Sequence, residues 1–248
     1  MARLPRIGML TPSSNTVLEP ECYAMMAGVC GTIHFSRFPV MAISLDRDHR
    51  DQFALAPMLQ AARLLQHAQC DVIAWNGTSA GWLGLDADRT LCQAITEQTG
   101  IPAISTTQAL LQATRVLGLK EIGLVTPYEE AVAHAIMQTL AVYDLRTIAE
   151  RHLGLRRNRE FAEVEANTIA FMIRDVAART EAVVVYCTNL AGAPLVSKLE
   201  AELGIPVLDS VTLTLWAALS RIGLRHSIAG WGRLLSENPP FEPVWPSS

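Results

Sequence analysis

Two short runs, each closing an apolar segment, hold residue types suited to chemistry on a small acid. The first is Gly77-Thr78-Ser79, which follows Asp71-Val-Ile-Ala-Trp-Asn; the second is Cys187-Thr188-Asn189, which follows Ala182-Val-Val-Val-Tyr186. They are two copies of one motif. Ile7-Gly-Met-Leu-Thr-Pro12 likewise returns as Ile122-Gly-Leu-Val-Thr-Pro127, and Gly100-Ile-Pro102 as Gly204-Ile-Pro206, in the same order. The copies differ where chemistry would sit, because one carries Gly77 and the other Cys187. One side of a cleft between them can therefore move a proton through a thiol and the other cannot.

Further polar residues stand at matching places. Pro12-Ser13-Ser14-Asn15 follows the first apolar segment, and Tyr128, after Thr126-Pro127, takes the repeat position of Ser13 and is expected to face the same cleft. Hydroxyls, amides and backbone N–H groups at helix starts make a receptacle for a carboxylate, and a better one for the enediolate it becomes when its α-carbon is a carbanion. Taken singly, Ser13, Thr78 and Thr188 are better explained as helix N-caps. Taken together, four such clusters favour a site.

Cys187 ends an apolar run and precedes two polar residues at an expected helix start, a setting that can perturb a thiol and expose its sulfur. Cys22, Cys30, Cys70 and Cys92 read as inert core thiols. The five cysteines contain no Cys-x-x-Cys pair, and the six histidines show no metal-ligand spacing, so neither a disulfide framework nor a metal site is expected. With no dinucleotide fingerprint or P-loop, no cofactor is expected either.

The elements that must hold these residues follow from periodicity. Short β-branched runs predict strands near 6–11, 32–38, 71–76, 102–104, 121–126, 145–153, 182–187 and 206–208. Helical spacing predicts helices near 16–28, 52–68, 86–98, 106–117, 129–142, 160–178, 193–203 and 210–222. Gly118 and Gly223 read as helix stops. Alternation of this kind predicts an α/β fold of mostly parallel sheets flanked by helices, with ligands beyond the carboxyl ends of the strands. The repeat divides it into two pseudo-symmetric Rossmann-like lobes, 1–114 (completed by 210–235) and 115–209, with the active site between them. Residues 236–248 read as a proline-rich tail packing on a neighbour through Phe241 and Trp245, which allows a homo-oligomer.

With 248 residues, 50% apolar and 18% charged, the chain can build a substantial core. A net charge of −4 offers no basic stripe for nucleic acid. Neither a signal-like segment nor a membrane-length apolar run is evident, and a cytoplasmic location is expected.

The strand-end set Pro12-Ser-Ser-Asn15-Thr, Gly77-Thr-Ser, Thr126-Pro-Tyr128 and Cys187-Thr-Asn, with the later Gly230-Trp-Gly-Arg-Leu, resembles the aspartate/glutamate racemase superfamily, in its arylmalonate decarboxylase and maleate isomerase branch. The resemblance spans roughly residues 5–235. It implies a cofactor-free enzyme of two Rossmann-like lobes. Superfamily members typically use one cysteine from each lobe, whereas arylmalonate decarboxylases have glycine in the first. By that resemblance Thr78, Ser79 and Tyr128 hold the enediolate left by departing carbon dioxide, and Cys187 protonates one face. Asn15 and Asn158, the latter in Gly154-Leu-Arg-Arg-Asn158, resemble instead the asparagines with which maleate isomerases hold their substrate's carboxylates, with Thr188 and Asn189 completing the binding set. The run Arg156, Arg157, Arg159 is most simply a solvated face. The expected activity is decarboxylation of a substituted malonate; a racemase or cis-trans isomerase, and a non-catalytic carboxylate-binding protein, are the alternatives.

Overall fold

A computed structural model describes residues 3–224 and 226–241. The first half contains β1 (Arg6–Pro12), α1 (Leu18–Met25), β2 (Thr32–Phe38), α2 (Arg47–Asp51), α3 (Leu55–His67), β3 (Val72–Trp75), α4 (Ala80–Leu83), α5 (Leu85–Thr99), β4 (Ala103–Ser105) and α6 (Thr106–Val116). The second contains β5 (Glu121–Thr126), α7 (Glu130–Ala141), β6 (Arg146–His152), α8 (Asn158–Phe161), α9 (Ala166–Ala177), β7 (Ala182–Val185), a 3-10 turn at Ala193–Leu195, α10 (Val196–Leu203), β8 (Val207–Asp209), α11 (Ser210–Arg221) and α12 (Arg233–Glu237).

The strands form two four-stranded parallel sheets with matching orders, β2-β1-β3-β4 and β6-β5-β7-β8. Their registers match as well: Ile7 pairs with Val72 in one, and the repeat-related Ile122 with Ala182 in the other. Counting along from these pairs, Gly77 and Cys187 occupy equivalent places beyond the central strands. The buried Val-Val-Val of β7 and Val-Ile-Ala-Trp of β3 show why such runs are apolar throughout: helices cover both faces of a parallel sheet.

The repeated Ile-Gly has a packing reason. An added Cβ at Gly123 would lie 2.7 Å from Val176 Cγ2 on α9, and one at Gly8 would lie 3.2 Å from Leu65 Cδ1 on α3. Each glycine lets a helix approach its central strand closely. Gly118 and Gly223 adopt φ of +69° and +70° just past α6 and α11, as helix stops require.

Helices α6 and α11 pack on each other between the sheets and mirror one another in detail. Thr106 Oγ1 donates to Trp75 O (3.2 Å), and its counterpart Ser210 Oγ donates to Val185 O (2.9 Å). Helix α11 also contacts β3 and β4 of the first sheet.

Several helices differ from their predicted spans. The helix expected over 52–68 begins only at Leu55, after an extended Ala54, and the short α2 precedes it outside the expected span; the helix expected over 160–178 is broken into α8 and α9, where Glu165 is extended. Pro194 opens the segment expected to begin α10, and that turn is 3-10. The four-residue α4 and five-residue α12 are too short for helical periodicity to reveal. The start of the tail folds back on its own chain: Trp216 Nε1 donates to Pro239 O (2.9 Å), and Phe241 packs edge-on against Trp216. Trp245 lies outside the described residues. Among those described, no helix is long and apolar enough to cross a membrane.

Candidate active site

Asn15 and Asn189 tie the strand-end loops of the two halves together. Asn15 Oδ1 accepts from the N–H groups of Val17 and Leu18 (both 3.0 Å), capping α1, while its Nδ2 donates to Thr188 O (3.0 Å) and Oγ1 (3.3 Å). Asn189 Oδ1 accepts from Thr16 N (3.0 Å) and Val17 N (3.3 Å), and its Nδ2 donates to Asn158 O (2.6 Å). Asn158 Nδ2 donates to Ser14 Oγ (2.8 Å), and Thr188 Oγ1 to Asn76 O (3.2 Å). Asn15, Asn158, Thr188 and Asn189 are all buried, as buried amides and hydroxyls with this many partners can be.

At the centre, Tyr128 Oη lies 2.8 Å from Thr78 Oγ1 and also hydrogen-bonds the Cys187 thiol. The Asn189 N–H reaches Cys187 Sγ at 3.4 Å. Edge contacts of the Tyr128 ring with Trp82 and Phe161, each at 5.4 Å between centroids, fix where its hydroxyl points. Thr78 and Thr188 cap no helix, since their hydroxyls bond across the cleft; of the polar strand-end residues, Asn15 does act as a cap. Ser79 is buried at the start of α4 and lines a cavity of about 290 Å³ with Phe53, Met58, Leu83 and Asp88.

The expectation of an exposed Cys187 sulfur is not met, because Cys187 is only 2% exposed. Burial pushes the thiol up to about 12, with the Tyr128 hydroxyl and the Asn189 N–H acting in the opposite direction. The Tyr128 phenol is likewise raised well above its ordinary value, burial being the largest cause. Both groups keep their protons at neutral pH. Cys30 also departs from expectation: it is exposed, whereas Cys22, Cys70 and Cys92 are buried.

Pro12 is buried and its carbonyl accepts from Asn15 N (3.1 Å). Ser13 stands apart from the cluster and does not share Tyr128's inward direction. Its side chain is exposed, because its N–H and Oγ bond Phe38 O (2.8 Å) and Val40 N (3.2 Å) and so turn it toward the end of β2.

Arg156, Arg157 and Arg159 face outward. Arg156 pairs with Asp46 (2.7 Å) and Glu129 (2.9 Å), and Arg157 with Glu160 (2.5 Å). Their backbone matters more than their charges. Ile43 N donates to Arg156 O (2.8 Å) and Asn158 N to Met41 O (2.9 Å), an antiparallel clasp between the halves that delivers Asn158 to the site.

Two positioning residues escaped sequence reasoning. Arg37, held by Glu19, donates to the carbonyls of Ser13 and Asn15 (both 2.8 Å) and shapes that loop. Trp75, fully buried, fills the space at Gly77: an added Cβ there would lie 2.6 Å from Trp75 Cε2 and closer still to Cζ2 and Cη2. Strand alternation, which puts residues two apart on one side, was the available signal for Trp75. Among the described residues no three His, Cys, Asp or Glu side chains gather as a metal site would require.

A family model described as arylmalonate decarboxylase matches residues 7–235. The chain is 27% identical over 256 residues to a maleate isomerase of Geobacillus stearothermophilus, with 95% of this chain and 99% of the relative covered. It is 28% identical over 246 residues to an arylmalonate decarboxylase of Bordetella bronchiseptica, covering 96% and 99%. Among solved structures, a Nocardia farcinica maleate cis-trans isomerase mutant with a covalently bound succinylcysteine intermediate superposes with a TM-score of 0.87 at 24% identity, covering 95% of this chain and 99% of that one. A liganded glycine-to-cysteine, cysteine-to-serine mutant of arylmalonate decarboxylase gives 0.82 at 24% identity, covering 94% and 99%. These two likenesses show a shared fold.

Proposed function

The chain belongs to the arylmalonate decarboxylase family, and within it we propose that this protein is a cofactor-independent decarboxylase of a small substituted malonate. One carboxylate of the substrate leaves as carbon dioxide. The enediolate that remains is held by Thr78, Ser79 and Tyr128, and Cys187 delivers a proton to one face of its α-carbon. Asn15, Ser14, Asn158, Thr188 and Asn189 shape the receptacle around it, with Pro12 and Gly77 supplying backbone close to the substrate.

The Trp75 indole beneath Gly77 carries this reading. Racemisation by two thiols, or addition of a first-lobe thiol to a double bond, needs a side chain where the indole leaves no room for one. The protonated state of Cys187 agrees, since an acid is what a carbanion requires and a thiolate nucleophile is not. Tyr128 joins the two functions by touching both Thr78 and Cys187. The second reading, cis-trans isomerisation of a small dicarboxylate, is favoured by Asn15 and Asn158 and by the name of the Geobacillus relative.

A screen of malonates, maleate and amino acids for carbon dioxide release, double-bond isomerisation and optical change tests both. Carbon dioxide from a malonate is expected, and the Cys187→Ala variant should lose at least about a hundredfold in turnover while staying folded. Conversion of maleate without any carbon dioxide release would reverse the order of the two readings.

A further inference from the structure

A second set of buried acids includes one in the half that carries the thiol, Asp209, which pairs in register with Val185, two residues before Cys187. Glu21 on α1 and Asp209 at the end of β8 act on each other electrostatically, and Asp209 acts on Cys187. Asp209 is fully buried and Glu21 is 7% exposed. Asp209 Oδ1 caps α11, accepting from the N–H groups of Val211 (2.8 Å) and Thr212 (3.4 Å), whereas Asp209 Oδ2 and Glu21 Oε2 have no hydrogen-bond partner. An added Cβ at Gly192 would lie 2.6 Å from Asp209 Oδ2, so the bare glycine is what lets this carboxyl rest against the loop after Cys187. Buried Cys22 feels both acids together with Glu19, itself held by Arg37.

Two bare carboxylates in such surroundings would be costly; burial raises both acids and the Asp209 carboxyl raises Glu21 further, so that one proton stays with the pair near neutral pH. Decarboxylation gives that proton a use. Loss of carbon dioxide from a malonate dianion and protonation of the carbanion consumes one proton per turnover: the Cys187 S–H bond breaks, a C–H bond forms, and a buried thiolate remains. Of the groups that act on Cys187, namely the Tyr128 hydroxyl, the Asn189 and Leu190 N–H groups and the Asp209 carboxyl, only the carboxyl can exchange a proton near neutral pH.

We propose that Glu21 and Asp209 hold one proton between them and return it to the Cys187 thiolate after each turnover, the pair then taking a proton from solvent. The proposal rests on the decarboxylase reading above. Neither residue touches substrate; both act through the thiol.

Asp209→Asn keeps the α11 cap, since the amide oxygen can accept the same N–H groups, and Glu21→Gln keeps shape and volume. Each is expected to lower kcat at least about tenfold with KM changed less than about twofold. Each should also move the alkaline limb of the kcat profile to lower pH by about one unit, because a lone buried carboxyl lacks the like-charged neighbour that raises it further. Infrared difference spectra of the substrate-free enzyme at pH 7, wild type minus the Glu21→Gln, Asp209→Asn double variant, should show a protonated-carboxyl component beyond the one Asp88 contributes to both. A wild-type spectrum without that component, or kcat profiles unchanged in both single variants, overturns the proposal even if Cys187 proves essential for carbon dioxide release. Absence of release from every malonate, with the band present, instead removes the decarboxylase reading and leaves the shared proton standing.

Discussion

Gly77 and Trp75 make the first-lobe side of the site passive. Gly77→Cys would set a second acid opposite Cys187 by the logic of the repeat, but its Cβ falls within the Trp75 ring. The single variant is therefore expected to lose stability by about 1–3 kcal/mol, the usual range for overpacking. Pairing it with Trp75→Ala should relieve the clash and, with a prochiral malonate, lower the enantiopurity of the product. Denaturant midpoints and chiral analysis of the product check the two halves of this prediction; a single variant as stable as the wild type would show that the indole is not a wall. Thr78→Ala and Tyr128→Phe concern the other side of the reaction. Losing one oxyanion donor typically costs about a hundredfold or more in rate, so kcat should drop by that order in each while KM moves less. Variants that alter only the melting temperature would reduce this hydroxyl pair to packing.

At the scale of elements, the halves are joined near the site by two devices of different strength. Asn15 caps α1 and reaches Thr188 from a buried position. Asn15→Ala removes both and leaves α1 N–H groups unsatisfied, which should destabilise by about 1–2 kcal/mol. The clasp between residues 41–43 and 156–158 is held by backbone bonds, and the Arg156 pairs with Asp46 and Glu129 above it are exposed. Arg156→Ala should change stability by less than about 1 kcal/mol, as exposed ion pairs usually do. Chemical denaturation of both variants checks the contrast, and equal losses would mean that the outer ion pairs hold the clasp shut.

The whole molecule should respond to pH through its buried acids. Burial raises Asp88 from 3.8 to about 7 against the opposing hydrogen bond from Ser105. A carboxyl raised in the folded state binds its proton more tightly there than in the unfolded chain. Its contribution is therefore complete below about pH 4 and is lost as pH rises through about 7. At 1.36 kcal/mol per unit, the ceiling for this one group is about 4 kcal/mol. Asp88→Asn should flatten the fall in unfolding free energy between pH 4 and pH 8 relative to wild type. Parallel curves for the two proteins would show that Asp88 titrates alike in both states.

The strand order of events along the chain, the repeat, and the loops that meet were legible in the sequence, because strands such as Val72–Trp75 and Ala182–Val185 are specified locally by apolar runs and stopped by polar residues. Matching runs in both copies also implied two similar lobes, while the strand order within each sheet came from the structure. Helix ends were less legible, since the breaks before α3 and α9 depend on a few backbone angles at Ala54 and Glu165 that periodicity does not carry. For the site, residue types named Cys187, Thr78, Tyr128 and Asn15 as candidates, and the family resemblance added Asn158. Only tertiary structure decided their surroundings, because solvent exclusion, proton affinity and free volume belong to neighbours far away in sequence. Burial makes Cys187 a protonated thiol, a clasp on residues 41–43 seats Asn158, and one indole closes the space at Gly77. Glu21 and Asp209, far apart in sequence, become a pair only when α1 packs against α11, whose start Asp209 caps.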